Sequence, residues 1–202
     1  MTVIGVLGFQ GDIEEHLEAW KMALLDEKED VRVVVVKRAE QIEELSAVSI
    51  PGGESTVIGS LAERLKVISR LKEAILNGLP TLGTCAGMIV LAKKSKDAVV
   101  GDKDQPLVGV MDIEVERNHF GRQPDSFEAQ VSIPVLGEQP FLGVFIRAPI
   151  ITHVGAAVQP LASLSDGIVA ARQENIVVTS FHPELANDTR FHRYFLREIA
   201  HL

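Results

Sequence analysis

The chain has 202 residues, 46% hydrophobic and 24% charged, with a formal net charge of −8. That length and apolar content suit one soluble domain over residues 1–202. The acidic balance repels phosphate backbones and excludes nucleic acid as the expected partner, and no apolar run approaches the roughly 18–20 residues that cross a bilayer. A single cysteine excludes an internal disulfide and suits a reducing compartment. The opening residues MTVIGVLGFQGD carry neither a basic leader nor a small-residue cleavage site, so the expected location is cytoplasmic.

Residues 3–7 predict a first strand. Asp12 is placed to cap the helix that follows, where Ile13, Leu17, Trp20 and Leu24 recur at helical spacing. Residues 31–36 form a β-branched run expected to be buried on both faces. A third strand over 47–50 stops at Pro51-Gly52-Gly53. Leu61, Leu65, Ile68 and Ile75 mark one long helix closed by Asn77-Gly78. A fourth strand is expected over 79–83 and a helical segment over 86–94. Strands alternating with helices imply a parallel sheet covered on both faces. The second half reads differently, with strands over 108–116, 127–133 and 142–147, then a hairpin of 168–172 and 176–180 around Gln173-Glu174-Asn175. Asp188 or Thr189 starts a last helix, with Phe191, Phe195 and Ile199 on one face. The expected fold class is α/β, a mostly parallel central sheet with an antiparallel extension.

Gly83-Thr84-Cys85-Ala86-Gly87 follows an apolar strand and opens a helix. A nucleophile between glycines at that junction is an elbow, which points the side chain out at the top of the sheet. A free thiol with a pKa of about 8.5 is only a few per cent thiolate at pH 7, and a helix N-terminus favours the anion. The nucleophile needs a base. Of six histidines, His16 reads as part of a charged helix face, His192 and His201 belong to or follow the last helix, and His119 and His153 fall in loops or at strand ends. His182 differs: it follows a strand end directly and begins His182-Pro183-Glu184. If that strand runs parallel to the Cys85 strand, both residues emerge at the carboxyl edge, where open α/β sheets bind ligands. Glu184 would then hold the imidazole's tautomer and stabilise its cation. Oxyanion donors are expected from Pro51-Gly52-Gly53-Glu54-Ser55, at Gly53, and from the amide of Ala86. No G-K-[ST] follows these glycines, so a phosphate loop is a weak reading. The histidines and carboxylates lack metal-ligand spacing, and no metal or cofactor is expected.

The elbow, the Pro-Gly-Gly-Glu-Ser loop and the distant His-Pro-Glu together resemble the class I (triad) glutamine amidotransferases, whose fold is a three-layer, flavodoxin-like one. Within them the chain resembles the glutaminase subunits of pyridoxal 5′-phosphate synthase, through residues 5–12 (GVLGFQGD), 115–123 (VERNHFGRQ) and 145–149 (FIRAP). The resemblance covers nearly the whole chain. It implies a Cys85–His182–Glu184 triad that hydrolyses L-glutamine to glutamate and ammonia. It places Gly53, Glu54, Ser55, Arg117, Ile146 and Arg147 around the substrate, with an arginine free to grip the α-carboxylate. It also implies a barrel-fold synthase partner in a large hetero-oligomer, with the segment around Gln10 near both pocket and interface. Residues 27–30 and 94–101 depart from the family pattern and read as surface variation. Rival readings are a γ-glutamyl hydrolase or another triad amidotransferase, against which residues 115–118 count, and a non-catalytic regulatory subunit. A third rival, the cysteine-elbow stress proteins, keeps a histidine beside the nucleophile, where this chain has Met88.

Overall fold

Runs of β-branched and aliphatic residues that alternate with amphipathic segments leave a chain one economical arrangement: strands side by side, with helices over their two apolar faces. The computed structural model describes residues 2–25, 31–98, 101–102, 104–119 and 126–202, and it has that arrangement. In chain order the strands and helices are β1 (Thr2–Leu7), α1 (Ile13–Leu24), β2 (Val31–Val36), β3 (Ala47–Ile50), α2 (Ser55–Arg64), α3 (Val67–Leu76), β4 (Thr81–Thr84), α4 (Ala86–Leu91), β5 (Ala92–Asp97) and β6 (Gly101–Asp102). There follow β7 (Met111–Arg117), β8 (Ser126–Val131), β9 (Phe141–Ile146), β10 (Ile150–Val154), β11 (Gln159–Leu164), β12 (Gly167–Gln173), β13 (Ile176–Thr179) and α5 (Arg190–Phe195).

The main sheet runs β2-β1-β3-β4-β13-β12-β10-β7-β5-β6, with β11 paired to β12; β8 and β9 form a separate ribbon. The strands from β2 to β13 are parallel, and from β13 through β12 and β10 to β7 each pairing is antiparallel. A parallel sheet thus carries the expected antiparallel extension. The period-2 alternation of strand side chains feeds two cores on opposite faces. In β13, Val177 points into the core beneath α1 and α5, while Ile176 and Val178 join the core beneath α2, α3 and α4. The α1/α5 side is aromatic: Trp20, Phe141, Phe145, Phe181, Phe191 and Phe195 are all fully buried there.

Several expectations fail for local reasons. The run over 31–36 is the sheet's edge strand, not one covered on both faces, and only Val36 of it is fully buried. The single helix expected through residues 61–75 is two, α2 and α3, because Lys66 takes a left-handed conformation (φ 58°) and turns the chain. The helical segment after the elbow stops at Leu91, and Ala92–Asp97 becomes a strand paired parallel to β7. Residues 94–97 of the segment 94–101 therefore belong to a strand, with Lys94 and Lys96 exposed on it; residues 99–100, 27–30 and 120–123 lie outside the described residues. Strands β10 and β11 are unanticipated, since neither carries a clean alternation: β10 is buried at Ile150 and Ile151 only, and β11 begins Gln-Pro.

Phe141 sits against both Phe181 and Phe191, with ring centroids 5.8 and 6.1 Å away. Phe141→Ala should lower unfolding stability by about 3–5 kcal/mol in urea titrations, the usual cost of emptying a buried aromatic site.

Candidate active site

Strand β4 is buried throughout and ends at Thr84. The next residue, Cys85, is forced to φ 47° and ψ −103°, an expensive conformation for a side-chain-bearing residue. The turn is this sharp because α4 begins at once and packs on the end of β3: a Cβ on Gly87 would stand 2.0 Å from the Ile50 carbonyl oxygen. The amide of Cys85 donates to Thr179 O at 2.8 Å, which ties the elbow to β13. β13 runs parallel to β4, with Thr179 opposite Thr84. The chain leaving β13 therefore emerges beside the elbow and reaches His182, whose amide is pinned to Val144 O at 2.8 Å. Pro183 starts a short 3-10 turn, Pro183–Leu185, that folds Glu184 back under the imidazole.

His182 Nδ1 lies 2.7 Å from Glu184 Oε1 and 3.0 Å from Asp12 Oδ2. Its other nitrogen, Nε2, is buried and makes no well-formed hydrogen bond, while the Cys85 thiol is near enough to raise the ring's pKa. A loose thiol–imidazole contact is normal before substrate binds. Burial opposes charging of the ring, but Asp12, Cys85 and Glu184 together outweigh it and push His182 up to about 12. Glu184 is likewise desolvated, yet His16 and His182 beside it hold its carboxyl far below the usual carboxylate range. The favoured state is an imidazolium against buried carboxylate. Cys85 is 6% exposed, and its Sγ is 3.8 Å from Ile146 O.

A cavity of about 30 Å³ opens at the thiol, lined by Gly53, Glu54, Ser55, Cys85, Ile89, Arg117, Asn118, Ile146 and Arg147. It thus brings together Cys85 and every residue expected around the substrate. Three of the six described non-glycine residues with positive φ, Cys85, Asn118 and Arg147, line it, which concentrates backbone strain there. Arg117 is buried, with Nη2 2.7 Å from Glu54 Oε1 and Nη1 3.3 Å from Gln105 Oε1. The arginine expected to grip the substrate carboxylate is thus paired in the resting pocket, because burial demands a partner for its charge. Ser55 donates to the same Gln105 oxygen at 3.2 Å. Arg147 is exposed at the rim. The Gly53–Glu54 loop is clamped from the other side: the Glu54 amide donates to Gln10 Oε1 at 2.6 Å. A Cβ on Gly52 would stand 2.3 Å from His182 Cε1, so the loop lies directly on the imidazole. A larger cavity of about 570 Å³ lies behind Glu184, between α1 and residues 183–189, and does not touch the thiol.

The model of the SNO glutamine amidotransferase family matches residues 6–201. The chain belongs to that family. A relative from Staphylothermus marinus, named pyridoxal 5′-phosphate synthase subunit PdxT, is 48% identical over 200 residues, covering 97% of this chain and 98% of its own. A relative of the same name from Pyrococcus horikoshii is 48% identical over 197 residues, with the same coverage. A crystal structure described as a glutamine amidotransferase is 42% identical and superposes with a TM-score of 0.85 over 98% of this chain and 99% of that one.

Sequence reasoning missed three members of the site. Asp12 looks like a helix cap, but makes no side-chain cap hydrogen bond; its carboxylate turns to His182 instead, where an imidazolium is the stronger partner. His16 is not on a charged surface face: it is fully buried, with Nε2 3.0 Å from Thr84 Oγ1 and 3.5 Å from Glu184 Oε1. The signal for it was present, since position 16 lies on the same helical stripe as Ile13 and Trp20. Gln105 follows a polar stretch without periodicity, and nothing in the sequence singles it out. Asp12, His182 and Glu184 bring donor atoms within 4.8 Å of one another, the one group among the described residues able to hold a metal, though its imidazole Nδ1 is already shared by two carboxylates.

The pH dependence of stability follows from these shifts. Glu184, depressed in the fold from 4.5, contributes stability that is full above that value and lost as pH falls below it. His182, raised from 6.5, contributes stability that is full below 6.5 and lost as pH climbs towards about 12. Glu184→Gln should therefore be destabilised at pH 7, with the gap to wild type narrowing in urea titrations below pH 4.5. A gap that stays constant with pH would refute the assignment.

Proposed function

We propose that this chain is the glutaminase subunit of a pyridoxal 5′-phosphate synthase, hydrolysing L-glutamine through Cys85, His182 and Glu184. The observation that carries this reading is the buried relay in which one imidazole faces a strained-elbow thiol and is held at Nδ1 by a carboxylate.

In the first step the Cys85 thiolate attacks the side-chain amide carbon of glutamine, and the C=O π pair moves onto oxygen. Amides near Gly53 and that of Ala86 are the proposed donors to this oxyanion; one such donor is typically worth about 10²–10³ in rate. The imidazolium of His182 gives its proton to the amide nitrogen, the C–N bond breaks, and ammonia leaves behind a γ-glutamyl thioester. His182, now neutral, takes a proton from water as it attacks the thioester, and glutamate departs with Cys85 restored. Glu54 and Arg117, paired in the resting pocket, suit the α-ammonium and α-carboxylate of the substrate respectively, so glutamine would exchange one internal ion pair for two to itself. Ser55, Ile146 and Arg147 complete the pocket.

The resting cavity has room for roughly one or two water molecules, far less than a glutamine side chain. Opening it is a natural role for a partner. Gln10, clamped on the Gly53–Glu54 loop, connects the outer turn after β1 to that loop and provides a mechanical route. The proposed partner is a barrel-fold synthase subunit in a large hetero-oligomer, which receives ammonia before it is protonated in bulk water. No described helix is long and apolar enough to cross a membrane, and a cytoplasmic location fits this role.

Cys85→Ala should abolish glutamate release from glutamine with its fold unchanged, and Glu184→Gln should lower kcat by up to about 10⁴, as when the acid of a triad loses its charge. Wild-type release should rise when the synthase is added. Activity that survives Cys85→Ala would end this reading.

A further inference from the structure

The acid of the relay has a second histidine behind it. Glu184 Oε1 faces His182 Nδ1 at 2.7 Å on one side and His16 Nε2 at 3.5 Å on the other. His16 is fully buried on α1, and its Nε2 also lies 3.0 Å from the hydroxyl of Thr84, the residue immediately before the nucleophile. These contacts close a ring: thiol, His182, Glu184, His16, Thr84 and the peptide back to Cys85. Packing alone does not explain an imidazole here. His16 Nδ1 is buried without a hydrogen-bond partner, a cost that an apolar residue of similar size at position 16 would not carry. Glu184 is an acceptor, so the atom facing it is an Nε2–H donor, and Thr84 can take a share of the same proton. A buried ionisable group on this side is His192 of α5, which burial and the nearby His16 push down to about 4 against the pull of Glu184; Glu14, Glu15, Glu18 and Asp188 line the cavity behind Glu184 with it. It packs edge-on against Trp20 at 4.8 Å.

We propose that His16 is a positioning residue of the glutaminase centre: its Nε2–H fixes Glu184 from behind and couples that carboxylate, through Thr84, to the backbone that carries Cys85. The proposal rests on the function above. Both histidines converge on Oε1, so the oxygen that faces Nδ1 is held from two directions; with His182 alone the carboxylate would swing more freely on its own torsion and lose its line to Nδ1.

The test uses the full chain with its synthase partner and two variants. His16→Met fills the space without a donor, and His16→Gln sets an amide nitrogen close to the place of Nε2. His16→Met should lower kcat for glutamine hydrolysis by about 10–100-fold, the range for groups that orient a functional side chain from behind, with KM within about twofold. Alkylation of Cys85 by iodoacetamide requires no turnover. Its half-plateau pH should rise by about one unit in His16→Met, because a loosened Glu184 stabilises the imidazolium less. His16→Gln should restore kcat and the alkylation profile to near wild type. An unchanged alkylation profile in His16→Met, or a folded His16→Gln whose kcat falls more than about tenfold, would overturn the proposal. If His16→Met does not fold, His16→Gln decides alone on the same two readouts. Wild-type protein that releases no glutamate with its partner would sink the glutaminase reading instead, and the alkylation profiles would still judge His16.

Discussion

The candidate active site depends on one pairing: β13 lies parallel to β4, with Thr179 opposite Thr84. Almost a hundred residues separate the thiol from the imidazole in sequence, and parallel pairing is what sends both chain segments out of the same sheet edge. An antiparallel β13 would carry His182 to the far rim. The pairing is buried on both faces, by Val177 in one core and Ile176 and Val178 in the other, so a one-residue slip would exchange the two sets and is strongly opposed. The amide of Cys85 continues the ladder to Thr179 O, and the elbow is therefore an extension of the sheet and not a free loop. This is how a conformation as costly as that of Cys85 persists: the surrounding structure determines it from both sides.

On that scaffold the electrostatics are arranged in depth. Burying a carboxylate costs several kcal/mol unless it is paired, and Glu184 is paired twice over, with His182 and His16 on either side. His182 in turn meets two carboxylates, one buried and one at the half-exposed Asp12. Such a cluster favours the imidazolium, which suits the proposed chemistry: the proton needed by the leaving nitrogen would already be in place. In the proposed reaction the opposite requirement arises at thioester hydrolysis, where the ring would have to accept a proton; departure of ammonia with the first proton would leave the ring neutral at the moment when water must be activated. The Gly52–Gly53 loop lies across this cluster, held at Glu54 by Gln10, so the proposed oxyanion donors and the proposed base share one support.

The sequence made the parallel half of the fold legible because its strands are short apolar runs with clear bounds: Gly8 follows β1, Pro51 follows β3, and charged residues flank β2. It made Cys85, His182 and Glu184 legible because an elbow and a His-Pro-Glu both sit at strand ends, where chemistry collects in α/β sheets. What it concealed has physical causes. Val31–Val36 looks doubly buried, yet lies at the edge, since β-branched content reports strand propensity and not position within the sheet. Lys66 gives no glycine or proline signal, so the break between α2 and α3 is invisible locally. Asp12 and His16 were hidden by ambiguity: a cap residue and a polar residue on a helix look the same whether they face solvent or a buried charge, and only tertiary packing separates the two. Gln105, which orients Arg117 across the pocket, comes from an irregular stretch with no pattern to read.

The most direct test of the thiol–imidazole centre is covalent capture. A glutamine analogue with a diazoketone in place of its amide should be attacked by the nucleophile and remain attached. Intact-mass and peptide mapping should find one adduct per chain, on Cys85, prevented by excess glutamine and largely lost in His182→Ala. A reproducible adduct elsewhere, or labelling of Cys85 that is as fast without His182 as with it, would contradict a centre built on the pairing of β4 with β13.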